Sequence, residues 1–360
     1  MAFAGIRVGL VGPLPPPAGG MANQTRQLAE LLEKAQAQVT LVQTNAPYRP
    51  QWAGRVPGIR AVFRLLPYAL ALWRAAGRSD VLHIMANSGW SWHLFAAPAI
   101  WIARLRGVPS VVNYRGGEAA EFLQGAQAVV RTSMAASAGL LVPSAFLQEV
   151  FARFGMQAAI VPNIIDLARF RPRGAKLAHS AHIVVARNLE PLYDNTTAIR
   201  AFQIVQAQWP EARLTIAGSG PQEAELRQLV TDLGLQARVH FTGRLDRDDM
   251  AALYREADAM LNPSLADNMP NSVLESMASG VPVVSTDVGG VPYIVQDGMT
   301  ALLVPPGDPQ AMAAACLRLL DDAGLWTRLQ QAGLAEVQRY TWGRVAPLLA
   351  AQYRQIIQAK

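Results

Sequence analysis

Cysteine is almost missing from this chain of 360 residues: Cys316 stands alone, inside an apolar helical pattern. A single thiol excludes a disulfide framework and a cysteine-built zinc site, and it fits a structural side chain in a reducing compartment. Long apolar runs are missing as well. Leu94–Ala103 stops at Arg104, far short of the ~18 residues that a bilayer-spanning helix needs. The start, Met1–Val8, has no basic region, long apolar core or cleavage site of a signal peptide, so a cytoplasmic protein is expected. Charge is scarce, at 16% against 51% apolar residues, which excludes a disordered chain. Neither of the two familiar phosphate loops follows the first strand pattern. Gly12-Pro-Leu-Pro-Pro-Pro-Ala-Gly-Gly20 is not Gly-x-Gly-x-x-Gly and not a Walker loop, so a dehydrogenase or NTPase is a weak reading. A metal-binding Asp-x-Asp is lacking too. Asp246-Arg-Asp-Asp249 instead opens a helix, where carboxylates cap backbone N–H groups and favour the dipole. No metal and no bound cofactor are expected.

The length suggests two domains, each able to bury its own core. Charge divides unevenly between them: residues 1–175 hold 17 Lys+Arg against 7 Asp+Glu, and residues 176–360 hold 15 against 19. The basic half predicts an acidic partner, whether nucleic acid, anionic lipid or a polyanionic substrate, with a merely soluble basic surface as the plain alternative. Strand patterns fall at Arg7–Gly12, Gln38–Thr44, Asp80–Ala86, Ser110–Arg115, Gly139–Pro143 and Ala159–Pro162. They resume at His182–Ala186, Arg213–Ala217, Val239–Thr242, Ala259–Asn262, Val283–Thr286 and Ala301–Val304, with helical patterns between them. Such alternation predicts parallel sheets covered on both faces, with ligands at the carboxyl ends of the strands. Gly58–Arg78 mixes Arg60, Arg64, Arg74 and Arg78 with Val62, Phe63, Leu65, Leu66, Leu70, Leu72 and Trp73. It reads either as a surface helix for an anionic leaflet or as a core helix with a cationic outer face and a kink at Pro67. Trp90, Trp92 and Trp101 read as core.

One stretch carries more chemistry than the rest. In Ala266–Pro282 a loop with Asp267 runs into a helix that starts at Asn271, Ser272 and Val273 and ends at Gly280 and Pro282. A helix start presents unpaired N–H groups and the positive end of the dipole, which suits a phosphate. Asp267 and Glu275 flank that start with seven residues between them. Carboxylates beside an anion site should face the neutral, hydroxylated part of a ligand, and a nucleotide sugar has that composition. An N-capped core helix with an incidental acid at each end is the bland alternative.

Asp267…Glu275, followed by Ser-Met-Ala-Ser-Gly-Val-Pro-Val-Val-Ser-Thr, resembles the Glu-x7-Glu signature of the retaining glycosyltransferases of family 4, group 1 type. Val161-Pro-Asn-Ile-Ile-Asp-Leu-Ala-Arg-Phe-Arg-Pro172 is similar to that family's inter-domain crossing, and Arg171–Ser180 then reads as linker. The resemblance implies an α/β chain of the GT-B fold, with two Rossmann-like domains facing across a cleft. Residues 1–170 would bind the acceptor and residues 181–340 the nucleotide-diphosphate sugar, with a C-terminal helix at 342–357 packing back on the first domain. The implied reaction moves a sugar to a hydroxyl of a glycan, lipid-linked or small-molecule acceptor with retention, independently of metal, in cell-surface polysaccharide or glycolipid synthesis. An anionic membrane is then a candidate contact at its inner face, and nucleic acid is not an expected partner.

Residue by residue, the resemblance gives Asp267 the donor sugar's hydroxyls and Glu275 the ribose. Asp is one methylene shorter than the family's Glu. Arg187 takes the place of a diphosphate-binding arginine, whereas Tyr193 stands where the family usually has a lysine. Gly19 and Gly20 look like the loop that closes over the diphosphate. Gly218, and Gly243 with Arg244 and Leu245, match turns bordering the base. Asn268, Met269, Asn271 and Ser272 complete the donor set. Arg115 occupies the position of a common family histidine, which makes it a candidate for both catalysis and acceptor binding, with Glu118 beside it in Arg-Gly-Gly-Glu. His83 resembles a strand histidine of the family, although alone it reads as a satisfied buried residue. No dedicated base stands out. A catalytically silent nucleotide-sugar or lipid-surface binding protein, and a GT-B sugar-nucleotide epimerase, are the alternatives.

Overall fold

The computed structural model describes residues 2–16, 19–56, 59–172 and 181–359. Most of the linker reading at Arg171–Ser180 therefore lies outside the described residues, as does Gly58. The chain divides into two compact units, Met1–Asn163 with Trp342–Lys360, and Ile164–Thr341.

In the first unit β1 (Arg7–Gly12), α1 (Gly20–Lys34), β2 (Gln38–Gln43), α2 (Ile59–Ala76), β3 (Val81–Ala86) and α3 (Ala97–Leu105) come first. They are followed by β4 (Ser110–Tyr114), α4 (Ala119–Met134), β5 (Gly139–Val142), α5 (Ala145–Arg153) and β6 (Ala159–Ile160). All pairings are parallel, in the order β2-β1-β3-β4-β5-β6. Every residue of β3 and β4 is buried, which is why their sequences are near-continuous apolar runs rather than alternating ones. One face carries Leu82, Ile84, Val112 and Tyr114, packed with Trp92, Ile100 and Phe151. The opposite face carries His83, Val111 and Asn113.

The second unit runs β7 (His182–Ala186), α6 (Asn195–Gln208), β8 (Arg213–Ala217), α7 (Glu223–Asp232), β9 (Val239–Gly243), α8 (Arg247–Glu256), β10 (Ala259–Asn262) and α9 (Asn271–Ala278). It ends with β11 (Val283–Thr286), β12 (Leu302–Val304), α10 (Pro309–Asp321) and α11 (Ala323–Glu336). Its parallel sheet has the order β12-β11-β10-β7-β8-β9. This is the doubly wound arrangement, and the chain reverses direction across the sheet between β7 and β10. Phe202, Ile183, Leu214 and Ile216 are fully buried in one core, with Cys316 among them. Each such large side chain contributes about 1.5–3 kcal/mol through burial. The chain then returns to the first unit as α12 (Trp342–Gln358), whose Val345, Leu349, Tyr353 and Ile356 are buried.

Two tryptophans depart from the core reading. Trp92 is fully buried and donates to Ser133 Oγ (3.2 Å), but Trp90 is 78% exposed and Trp101 39% exposed. Trp90 precedes the helical turn that aims Trp92 inward, and Trp101 lies on the outer side of α3 near the Arg104 guanidinium (5.8 Å). Helix α2 has three faces rather than two. Tyr68, Leu72, Ala75 and Ala76 are buried, while Val62, Leu66, Leu70 and Trp73 form an exposed apolar stripe at i, i+4, i+8 and i+11. Exposed Arg60 and Arg74 lie beside that stripe on the helix, and exposed Arg78 follows the helix end. No helix of the described residues is long and apolar enough to cross a membrane.

Candidate active site

In the second unit the carboxyl ends of β7 and β10 lie side by side, and each delivers one charged group. Arg187 leaves the end of β7. Its Nε donates to Asn262 Oδ1 at the end of β10 (2.7 Å), and its Nη2 donates to Asp267 Oδ2 in an ion pair. Asn262 is fixed in turn, since its amide donates to Ser285 Oγ (2.9 Å) and its oxygen accepts from Ser264 Oγ (3.0 Å). The Tyr193 ring lies 5.2 Å from the Arg187 guanidinium, so a cation–π contact occupies the position where the sequence lacks a lysine. The Asp267 side chain is 13% exposed. Burial raises its carboxyl above the usual range, while Arg187 and the Asn268 N–H hold it down. The two partners are 80 residues apart in sequence, and only the crossover topology brings them together.

The loop after Asp267 is held by backbone contact. Gly290 N–H donates to the Asp267 carbonyl (2.8 Å), and a Cβ on Gly290 would lie 1.8 Å from the Asn268 carbonyl oxygen. No side chain fits there, which accounts for the Gly289–Gly290 pair. Asn268 and Met269 are buried. Helix α9 then begins after Pro270 without a side-chain cap, so its first N–H groups are not capped by a side chain. Ser272 Oγ is buried at that start and has no hydrogen-bond partner. Glu275 lies one turn on, with its carboxyl pushed up to about 7 by burial, against the pull of Arg247 and Arg187. Asp267, Arg187, Ser272 and Glu275 thus belong to one corner of this unit.

Two turns support the same edge of the sheet. Gly218 N–H donates to the Gly243 carbonyl (2.9 Å), and a Cβ on Gly218 would meet the Arg187 carbonyl oxygen at 1.9 Å. Gly243 has a φ of +68°, in the left-handed region that favours glycine. Arg244 is exposed and donates from Nε to Ser219 Oγ (2.8 Å), and Leu245 is half-buried. Asp246 accepts from the N–H groups of Asp248 and Asp249 (both 2.9 Å), the capping role its position predicts.

The remaining candidates lie in the first unit. Gly19 precedes α1 and Gly20 begins it; a Cβ on either would meet nothing within 4 Å. Arg115 follows β4. Its Nε donates to Asn113 Oδ1 (2.8 Å), and its buried Nη1 has no hydrogen-bond partner. Burial lowers the guanidinium to about 10. Glu118 is exposed and precedes α4 without capping it. His83 is fully buried, with Nε2 against the Asn113 amide (2.9 Å) and Nδ1 against the Tyr353 hydroxyl (2.8 Å). Asn262, Ser264, Ser285, Asn113 and Tyr353 escaped the sequence reading. The available signal was polarity at the carboxyl end of a buried strand, which marks Asn262 and Asn113 but not Tyr353 on its distant helix.

Residues 181–322 match the family model described as glycosyl transferases group 1, and residues 18–169 match that of glycosyltransferase family 4. The phosphatidyl-myo-inositol mannosyltransferase of Mycobacterium leprae is 28% identical over 374 residues, covering 98% of this chain and 97% of that protein. The D-inositol 3-phosphate glycosyltransferase of Streptomyces avermitilis is 28% identical over 221 residues, but the match takes in 56% of this chain and only 48% of that protein's length. Sucrose-phosphate synthase from Thermosynechococcus elongatus superposes with a TM-score of 0.79 at 22% identity, covering 99% of this chain and all (100%) of that one. Anabaena HepE, solved in complex with UDP and glucose, gives 0.73 at 17% identity with the same 99% and 100% coverage. Two parallel six-stranded sheets, the corner at the β7–β10 switch point and these matches converge: the fold is GT-B, and the chain belongs to the group 1 glycosyltransferases of family 4.

Proposed function

We propose that the protein moves a sugar from a nucleotide-diphosphate sugar to a hydroxyl of a glycan, lipid-linked or small-molecule acceptor, with retention of anomeric configuration and without a metal ion. The observation that carries this is the Arg187–Asp267 pair at the β7–β10 switch point, next to the start of α9. The barrier to sugar transfer lies in expelling a nucleoside diphosphate while positive charge grows at the anomeric carbon. Preorganised cations and dipoles aimed at the leaving group are the main requirement. Arg187, the first N–H groups of α9 and the unpartnered Ser272 hydroxyl supply them. Asp267 orients the sugar hydroxyls and Glu275 takes the ribose. Asn268, Met269 and Asn271 shape the loop, while Gly218, Gly243, Arg244 and Leu245 flank the base. In the first unit Gly19 and Gly20 leave space for a donor oxygen, Arg115 offers Nη1 to an anionic substrate oxygen, and Glu118 serves the acceptor. The name of the mannosyltransferase relative supports sugar transfer, and HepE, solved with UDP and glucose, supports a nucleotide sugar as donor.

A lipid surface is the second proposed partner, because α2 sets its exposed apolar stripe beside arginines. That composition suits an anionic leaflet and supports a role in glycolipid or surface-polysaccharide synthesis.

The test is thermal-shift screening with UDP-, GDP-, ADP- and dTDP-sugars, since a donor at 100 times its Kd adds roughly 2.7 kcal/mol. The stabilising donor should then be consumed only when an acceptor is present, and the product should keep the donor's anomeric configuration. Conversion of the donor alone would mark an epimerase, and stabilisation without any conversion would mark a binding protein. Either result overturns the proposal.

A further inference from the structure

Arg115 ends a line of buried polar side chains that begins on the C-terminal helix. Tyr353 on α12, His83 on β3, Asn113 on β4 and Arg115 touch in sequence, at 2.8 Å, 2.9 Å and 2.8 Å. The parity of the strands explains how they meet. His83 pairs in register with Val111 and Met85 with Asn113, so positions 83, 111, 113 and 115 share the sheet face on which α12 packs. Tyr353 is itself held by Phe3, whose ring meets it edge-on at 5.9 Å and stacks on Trp342.

The chemistry gives this line one direction. A guanidinium only donates, so Asn113 must turn its carbonyl oxygen to Arg115 Nε and its NH2 to His83. His83 Nε2 must then accept, so the ring is neutral and its single proton is on Nδ1, donated to the Tyr353 oxygen. A protonated ring would set Nε2–H against the Asn113 NH2. Burial and the nearby Arg115 charge push His83 down to about 3, which agrees with a neutral ring. Arg115 Nη1 remains buried and without a partner at the end of the line.

We infer that Tyr353, His83 and Asn113 are positioning residues: they form a directed hydrogen-bond chain that fixes the Arg115 guanidinium and leaves Nη1 for an anionic oxygen of the substrate. The inference rests on the proposed contact between Arg115 and substrate. The three residues touch no substrate themselves. They act by holding the charge in place, where a small misplacement is costly in rate.

Two measurements test it. Imidazole ¹⁵N NMR of the full chain should find His83 as the neutral Nδ1–H tautomer near pH 7. In Asn113→Asp, whose second oxygen needs a donor, the tautomer should switch to Nε2–H while the fold is retained. An Nε2–H tautomer in the parent overturns the chain. Kinetics with whichever of the UDP-, GDP-, ADP- or dTDP-sugars is turned over should show kcat falling about 10- to 100-fold in Asn113→Ala, with donor KM changing little. Tyr353→Phe, which removes only the hydroxyl that accepts from His83, should move kcat the same way by less. In an Arg115→Ala background the Asn113→Ala effect should disappear, because the chain acts only through Arg115. Equal losses in both backgrounds would mean a general structural role and overturn the inference. If Arg115→Ala lowers kcat but Asn113→Ala does not, the chain alone is wrong. If Arg115→Ala matches the parent in kcat and KM, or if none of the four donors turns over, the reading of function fails first and this inference goes with it.

Discussion

Glu275 shows at the residue scale how function and stability oppose each other. An acid whose carboxyl is raised to about 7 by burial holds its proton more tightly in the folded protein than in the unfolded chain. The folded state therefore loses stability as pH rises from the ordinary carboxylate range through about 7, and below that range the effect vanishes. Glu275→Gln should raise Tm at about pH 8, by roughly 2–4 °C for each kcal/mol recovered in a domain of this size, and leave it unchanged near pH 4. Equal melting shifts at both pH values would show that this carboxyl does not titrate as its burial requires. Legibility differed among the residues. Asp267 and Glu275 could be singled out because their spacing is local and flanks a helix start. The Tyr353–His83 contact, between residues 270 positions apart, left no local trace. Tyr193 read only as a missing lysine, since a sequence does not show that a ring will lie against Arg187.

At the scale of elements, the strands were legible where both faces are buried, because Val81–Ala86 or Val283–Thr286 leaves few other structures for so apolar a run. Ends shift by a residue: the Gln38–Thr44 pattern stops as β2 at Gln43, and Ser110–Arg115 stops as β4 at Tyr114. Helix α2 was the ambiguous element, since periodicity does not say which of two apolar stripes meets the core. The structure buries Tyr68 and Leu72 and exposes Leu66 and Leu70, at 60% and 50%. Vesicle sedimentation checks what the outer stripe meets. Binding to anionic vesicles should exceed binding to neutral ones and fall with salt, as exposed charges are screened over ~10 Å at 0.1 M. Leu66→Gln or Leu70→Gln should weaken it by roughly 10- to 100-fold, since burying a leucine contributes about 1.5–3 kcal/mol. Equal binding of the parent to neutral and anionic vesicles at low salt would remove the lipid partner.

For the whole molecule, alternating strands and helices point to parallel sheets, but strand order depends on pairing between distant segments and is invisible in any local pattern. That order decides where the chemistry goes. With β10 beside β7, Arg187 and Asp267 share one corner with the start of α9. We propose that this corner holds a nucleotide sugar, with Glu275 on the nucleotide and Asp267 on the sugar. Titration calorimetry of the parent, Glu275→Ala and Asp267→Ala with the free nucleoside diphosphate, alongside turnover of its sugar, tests that division most directly. Glu275→Ala should weaken nucleotide binding by about 1–3 kcal/mol, the cost of a lost charged hydrogen bond. Asp267→Ala should bind free nucleotide nearly as the parent does and lose turnover. Parental binding and turnover in both variants would contradict the account.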